Sequence, residues 1–284
     1  MKTFRMRAAA AVAAVCASAL AVAACSSSGT STTTAAAKVP GIASAGVLKI
    51  GTSDTEKPYA YEQNGQLTGF EVDLITAAAK VLKLKPQFVT MDFSALLPAV
   101  NNRQFDVAAA AIGITAAREQ MVTFSDGYLA GYFGVMARPG SGITSSVSSV
   151  KGKTVAVLQG SIEDDNAAKL LSGADIVRFP DENTAALALV DKRVDAFFND
   201  FDPDLSIIGQ YPSAHLTQPI IIPSTSAPAG WAVRKGNTAL IDQLNKALLQ
   251  VVHDGTWLKL YKKYFPHDPV PTAAQLPPYQ AQTS

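Results

Sequence analysis

Short apolar runs and longer segments of helical spacing alternate along most of this chain. Val47–Thr52 reads as a strand. After Gly69-Phe70, the apolar positions Leu74, Ile75, Ala78, Val81 and Leu82 recur at three- and four-residue intervals, the spacing of one helix face. A strand over 87–91 follows, and Ser94 stands as the N-cap of a helix carrying Leu96, Leu97 and Val100. Residues 107–112 form an almost unbroken apolar run, as in a strand buried on both faces of a parallel sheet. Together these make one β-α-β-α-β series.

A second series begins beyond Arg138 and a Ser/Gly-rich connector over 140–149. Its strands are 154–159, 175–179 and 194–199; Ser161 caps the first helix and 185–189 lies in the second. The alternation predicts an α/β protein of two doubly wound lobes. Asn237 is placed to cap a long amphipathic helix through Leu240, Ile241, Leu244, Leu248 and Val251, which stops at Asp254-Gly255. Thr256 opens a last helix that ends near Tyr264.

In open α/β sheets ligands bind beyond the carboxyl ends of the strands. The polar residues there are Ser53, Asp54 and Glu56 after the first strand, and Thr115 and Arg118, with Gly113, after 107–112. Ser161 and Glu163 follow 154–159 at a helix N-terminus, where free N–H groups attract anions, and Asp200 follows 194–199. An arginine, an aspartate and a helix N-terminus around one cleft suit a zwitterion: guanidinium on carboxylate, aspartate on ammonium. On spacing alone, Arg118 and Asp200 read equally well as solvated charges.

The ends of the chain set the compartment. Lys2, Arg5 and Arg7 precede an apolar stretch over 8–24, interrupted by Ser18, which closes on Val22-Ala23-Ala24-Cys25. That is secretory-signal architecture, too short for a membrane span, and its last four residues resemble a lipobox. Cys25 is then the expected lipidated N-terminus, anchoring an extracytoplasmic protein to the cell membrane. Of the 2 cysteines, Cys16 lies in the segment to be removed, so neither a disulfide within the chain nor a cysteine metal site is expected. The formal charge is +1, and losing the three N-terminal cations leaves −2, which gives no basic stripe for nucleic acid. Residues 25–44, rich in Ser, Thr and Ala, read as a tether, and 266–284 as a loose proline-rich tail. No metal or cofactor is expected.

The motifs resemble those of the family 3 extracellular solute-binding proteins, which serve polar amino-acid ABC transporters. Gly69-Phe70-Glu71-Val72-Asp73-Leu74 matches the family signature, and the likeness extends from about Val47 to Phe265. Phe93 to Ala99 is similar to F-x-x-L-I-P-A, Ile114 to Arg118 to I-T-x-x-R, Phe124-Ser125-Asp126 to F-S-D, and Val194 to Asp200 to V-D-A-x-x-x-D. The resemblance implies a type II periplasmic-binding-protein fold: lobe 1 from 45–137 and 227–265, lobe 2 from 138–226, and a hinge between them. It also implies that Arg118 holds the ligand α-carboxylate with the backbone near Ser161 and Ile162, and that Asp200 and the carbonyl of Ala111 take the α-ammonium. Phe93 would lie against the ligand side chain, although an ordinary core aromatic fits that position too. The partners implied are an amino acid and a transporter permease, with the protein itself a monomer.

The departures from the family pattern concern the side-chain pocket. Many members have aspartate at Ser53, an aromatic at Glu56, Ser or Thr at Gly113 and threonine at Ile162. Asp54, Glu56 and Glu163 together point to a cationic ligand side chain, with a neutral polar ligand such as glutamine as the alternative. The rival reading is an enzyme resembling cyclohexadienyl dehydratases, with Glu56 or Glu163 as the acid. Against it, the sequence has no nucleophile elbow, HExxH or CxxC, and none of its 3 histidines follows a strand. A sensor that docks to a receptor would carry the same binding site.

Overall fold

The computed structural model describes residues 38–222, 228–266, 268 and 277. The expected signal segment and Cys25 lie outside the described residues, as do 26–37 of the tether and most of the tail.

Thirteen strands and eight α-helices are described. The strands are β1 (Val47–Thr52), β2 (Thr55–Glu56), β3 (Ala60–Gln63), β4 (Gln66–Thr68), β5 (Lys85–Thr90), β6 (Val107–Ala108), β7 (Val122–Phe124), β8 (Phe133–Ala137), β9 (Thr154–Leu158), β10 (Asp175–Phe179), β11 (Ala196–Asp200), β12 (Thr217–Ile222) and β13 (Ala232–Arg234). The helices are α1 (Phe70–Val81), α2 (Phe93–Asn101), α3 (Ala116–Met121), α4 (Ile162–Leu170), α5 (Glu182–Val190), α6 (Phe201–Gln210), α7 (Thr238–His253) and α8 (Thr256–Tyr264).

Two five-stranded sheets organise the chain, in the orders β5-β1-β6-β13-β7 and β10-β9-β11-β8-β12. Each is parallel on one side and antiparallel on the other: β5, β1 and β6 run parallel while β13 opposes β6, and β10, β9 and β11 run parallel while β8 opposes β11. Each sheet buries both faces. Against the first lie Phe70, Leu74 and Leu244 on one side and Leu96 and Val100 on the other; against the second lie Ala167 and Leu171 on one side and Ala185, Leu189 and Ile207 on the other. Helices on both faces of each sheet give the expected two-lobed α/β architecture. The periodic residues of α7 are all buried, each contributing about 1.5–3 kcal/mol relative to exposure.

Several local expectations are corrected. The apolar run 107–112 pairs as a strand only over Val107–Ala108, because Ala111 turns into the left-handed region at φ 47° and takes the chain off the ladder. Ser94 lies inside α2, whose N-cap is Asp92. Asn237 holds the N-cap position of α7 without a capping bond; its amide donates instead to the Gly41 carbonyl at 2.9 Å. That contact has a wider meaning. Val39 and Ile42 pack on the first core, and Asp106 accepts the Ala43 N–H at 2.8 Å, so the packed chain starts before Ala45, within residues assigned to the tether.

Candidate functional site

The two sheets point their parallel strand ends at one cavity of about 50 Å³. The first lobe contributes Glu56, Tyr59, Phe93, Ala111, Gly113 and Arg118; the second contributes Ser161, Ile162, Glu163 and Asp200. Nine of the ten ligand residues expected from sequence therefore meet there. Asp54 does not. It lines a neighbouring crevice between the lobes with Ser53, Pro180 and Asp181. Its backbone position explains this: the turn into the β2–β3 hairpin sends Glu56 inward and leaves Asp54 at the rim.

Arg118 owes its place to a short helix. Thr115 caps α3, its hydroxyl accepting the Arg118 N–H at 3.2 Å, which sets the arginine in the first turn. The guanidinium is buried. Nη1 donates to the Gly113 carbonyl and Nη2 to the Gly160 carbonyl, both at 2.9 Å, so one side chain bridges the lobes. It also lies 5.6 Å over the Phe93 ring, a cation–π distance. Phe93, the first residue of α2, thus packs on the core and supports the arginine at once.

Across the cavity, Ser161 caps α4 by accepting the Asp164 N–H at 3.1 Å. This places Glu163 in the first helical turn, where an acid is favoured. Asp200 ends β11 and occupies the N-cap position of α6, but makes no capping bond. Its carboxyl bonds Glu163 instead. Burial raises the pKa of both groups; the Glu163, Glu56 and Asp202 charges raise Asp200 further, whereas the bond with Asp200 and the charge of Arg118 pull Glu163 back down. Glu56 accepts the Ser53 hydroxyl at 3.1 Å. Burial pushes its carboxyl up to about 8, with Glu163 and Glu71 adding to the rise and Ser53 and Arg118 opposing it. Arg118 is lowered by the same burial, against the pull of Asp165, Glu163, Asp200 and Glu56.

Gly113 and Ile162 face each other across the cleft. A Cβ on Gly113 would collide with Ile162 Cδ1, so the isoleucine fills the space that a residue-113 side chain would take. Sequence reasoning missed Tyr59, Leu129, Gly131, Phe133 and Ala229 in the lining. Tyr59 carries no strand-end signal because it lies in the turn of the β2–β3 hairpin. Ala229 enters through an isolated bridge to Gly113 that no periodicity announces.

The sequence profile of bacterial extracellular solute-binding proteins, family 3, matches residues 48–267. The chain belongs to this family. Among its members, this solute-binding protein is 32% identical to the L-cystine-binding protein TcyA of Bacillus subtilis (strain 168) over 231 residues, 80% of this chain and 84% of that protein. It is 32% identical to the arginine-binding extracellular protein ArtP of the same organism over 220 residues, 77% of this chain and 86% of that protein. The solved structure of an ancestral arginine-binding protein bound to glutamine superposes with a TM-score of 0.73 at 36% identity, covering 78% of this chain and 99% of the other. These relatives are binding proteins rather than enzymes, and no helix among the described residues is long and apolar enough to cross a membrane.

Proposed function

We propose that this solute-binding protein captures an amino acid between its lobes outside the cytoplasm and delivers it to an ABC transporter. One observation carries the reading. Arg118 from the first lobe and Asp200 from the second line the same cavity, and neither is in an ion pair among the described residues. A guanidinium with donors to spare and a carboxylate opposite it match the two ends of an α-amino acid. The Ala111 carbonyl and the Ser161–Ile162 backbone support the same zwitterion. The names of the relatives favour amino-acid cargo.

Because the two charges come from different lobes, capture requires closure of one lobe on the other, with 125–132 as a described segment that passes from the first sheet to the second. Lobe 1 in this reading is 45–132 with 228–265 and lobe 2 is 133–222; β8 pairs with β11 and β12, which moves the boundary expected at 137 back to 132. The mature N-terminus is a lipidated Cys25, which holds a monomeric receptor at the membrane beside its permease. Mass spectrometry of the mature protein tests this: a diacylated Cys25 supports it and an unmodified one rejects it.

Thermal-shift measurements on protein lacking residues 1–25, with each of the common amino acids, test the function itself. Only a ligand that binds the native state raises the midpoint. A panel in which no amino acid shifts it, checked by calorimetry, would overturn the proposal.

A further inference from the structure

We propose that Glu56 selects the cargo by pairing with a cationic side chain, so that the preferred ligand is a basic amino acid carrying a guanidinium or second ammonium. The inference rests on the amino-acid reading above and names the ligand class.

The charge pattern of the cavity motivates it. Three carboxyls line the space, Glu56, Glu163 and Asp200, against the single guanidinium of Arg118. None of the three is in an ion pair with a described lysine or arginine. Lys57, adjacent in sequence to Glu56, lies instead over the Tyr61 ring, 5.5 Å from its centroid. An α-carboxylate on Arg118 and an α-ammonium on Asp200 leave Glu56 as the remaining acid of the first lobe. A ligand with a cationic side chain supplies the charge that the protein does not.

Geometry assigns the role to Glu56 rather than to its neighbours. Glu163 is already bonded to Asp200 and sits in the first turn of α4. Glu56 has one oxygen held by Ser53 and opens on a space walled by Tyr59 and Phe93. Aromatic walls suit an alkyl stem ending in a delocalised cation. The titratable groups acting on Glu56 are Glu163 of α4, Glu71 of α1 and Arg118 of α3, while Glu182 of α5, Tyr59 and Asp200 feel its charge in turn. Acids outnumber bases on every side except that of α3.

The alternative chemistry has the opposite sign. A protonated Glu56 would donate to a neutral amide, as in glutamine, and binding would weaken as Glu56 ionises. A cation requires the ionised form, so binding strengthens as pH rises toward 8.

Calorimetry with L-arginine, L-lysine, L-glutamine and L-glutamate at pH 6 and pH 8, on wild type and Glu56→Gln, decides between them. The expected results are tightest binding by arginine or lysine, and an affinity for that ligand that rises by roughly tenfold or more from pH 6 to 8. Glu56→Gln should weaken the basic ligand by roughly 30-fold or more and glutamine less, so that the arginine-to-glutamine affinity ratio falls by about tenfold or more. A wild type that prefers glutamine or glutamate, or a variant whose arginine-to-glutamine ratio stays within about threefold of wild type, overturns the inference. The wild-type competition stands without the variant should Glu56→Gln fail to fold. Failure of all four ligands, together with the wider panel, counts against the amino-acid reading itself. Binding of a non-basic amino acid counts against Glu56 alone.

Discussion

The carboxylate of Glu71 accepts the backbone N–H of Ala111 at 2.8 Å, joining the core of the first lobe to the floor of the cleft. The same oxygen accepts the Tyr128 hydroxyl at 2.6 Å, and the other accepts the Trp231 indole N–H at 2.7 Å. Ala111 is a non-glycine residue at positive φ, which costs about 1–2 kcal/mol and persists only where neighbours hold it. Glu71→Gln keeps the shape but replaces one acceptor by a donor, so one of three N–H or O–H groups is left facing hydrogen. We expect a loss of about 1–3 kcal/mol in denaturant unfolding, with weaker ligand binding as Ala111 relaxes. Tyr128→Phe, which removes a Glu71 bond without touching Ala111, should lower stability and leave affinity within about threefold. Equal effects of both variants on affinity would show Glu71 to be a core residue with no hold on the site.

Arg118 and Asp200 should each be indispensable to binding. Removing either leaves a ligand charge buried without its partner, at a cost of about 3–5 kcal/mol, or roughly two to three and a half decades in affinity. Arg118→Lys is a sharper probe. An ammonium lacks the planar fork that reaches the Gly113 and Gly160 carbonyls together, so it should lose most of this affinity despite keeping the charge. Calorimetric binding by Arg118→Lys within threefold of wild type would contradict the fork argument.

Gly113 and Ile162 form a compensating pair. Gly113→Ser alone drives its side chain into Ile162 and should prop the lobes apart, weakening ligand binding by about tenfold or more. Ile162→Thr alone removes buried volume and should cost less. The double variant restores the hydroxyls common at both positions in the family and should bind more tightly than Gly113→Ser. A double-mutant cycle measures the coupling, expected at about 0.5–3 kcal/mol. Additive effects would mean that the two residues do not meet when ligand binds.

Glu182 makes stability depend on pH. It is buried, bonded by the Asn199 amide at 2.5 Å, and its pKa is raised well above the usual carboxylate range, first by burial and then by the Glu56 charge. Its folded pKa exceeds the unfolded one, so the folded state holds the proton more tightly. The stabilisation is full below about pH 4.5 and is lost as pH rises through the folded pKa. Glu182→Gln keeps an acceptor for Asn199 and cannot ionise. The gap between urea midpoints at pH 5 and pH 8 should therefore narrow in the variant, with a gain on the order of 1 kcal/mol at pH 8, while Glu56, Glu163 and Asp200 keep their own share of the gap. An unchanged gap between the two midpoints would remove Glu182 from the explanation.

Most of the architecture was legible because period and burial agree. The residues spaced along α7 and the strands β1 and β10 fall where their apolar patterns put them. Failures cluster where a single contact overrides the pattern. The run after Val107 looks like a strand by composition, yet Glu71, forty residues earlier, takes the Ala111 N–H out of the ladder. Strands β7 and β13 have three residues each, too few to show a period, while β8 is buried throughout and β12 shifts register against it, so neither alternates cleanly and the mixed character of both sheets was hidden. In the site, charged residues at strand ends were readable, whereas Tyr59 and Ala229 reach the cavity through tertiary contacts that only the folded chain supplies.

The protein has 2 tryptophans, Trp231 and Trp257, and both are fully buried in the core of the first lobe. Trp231 shares Glu71 with Ala111 at the cleft floor, while Trp257 stacks on Tyr261 at 5.1 Å and donates to the Tyr128 carbonyl at 2.9 Å. Intrinsic indole emission is therefore blind to the second lobe. A denaturation curve followed by fluorescence reports one half of the molecule, and one followed by far-ultraviolet ellipticity reports both. Superimposed curves would mean that the lobes melt as one cooperative unit; separated curves would resolve them without any engineered label.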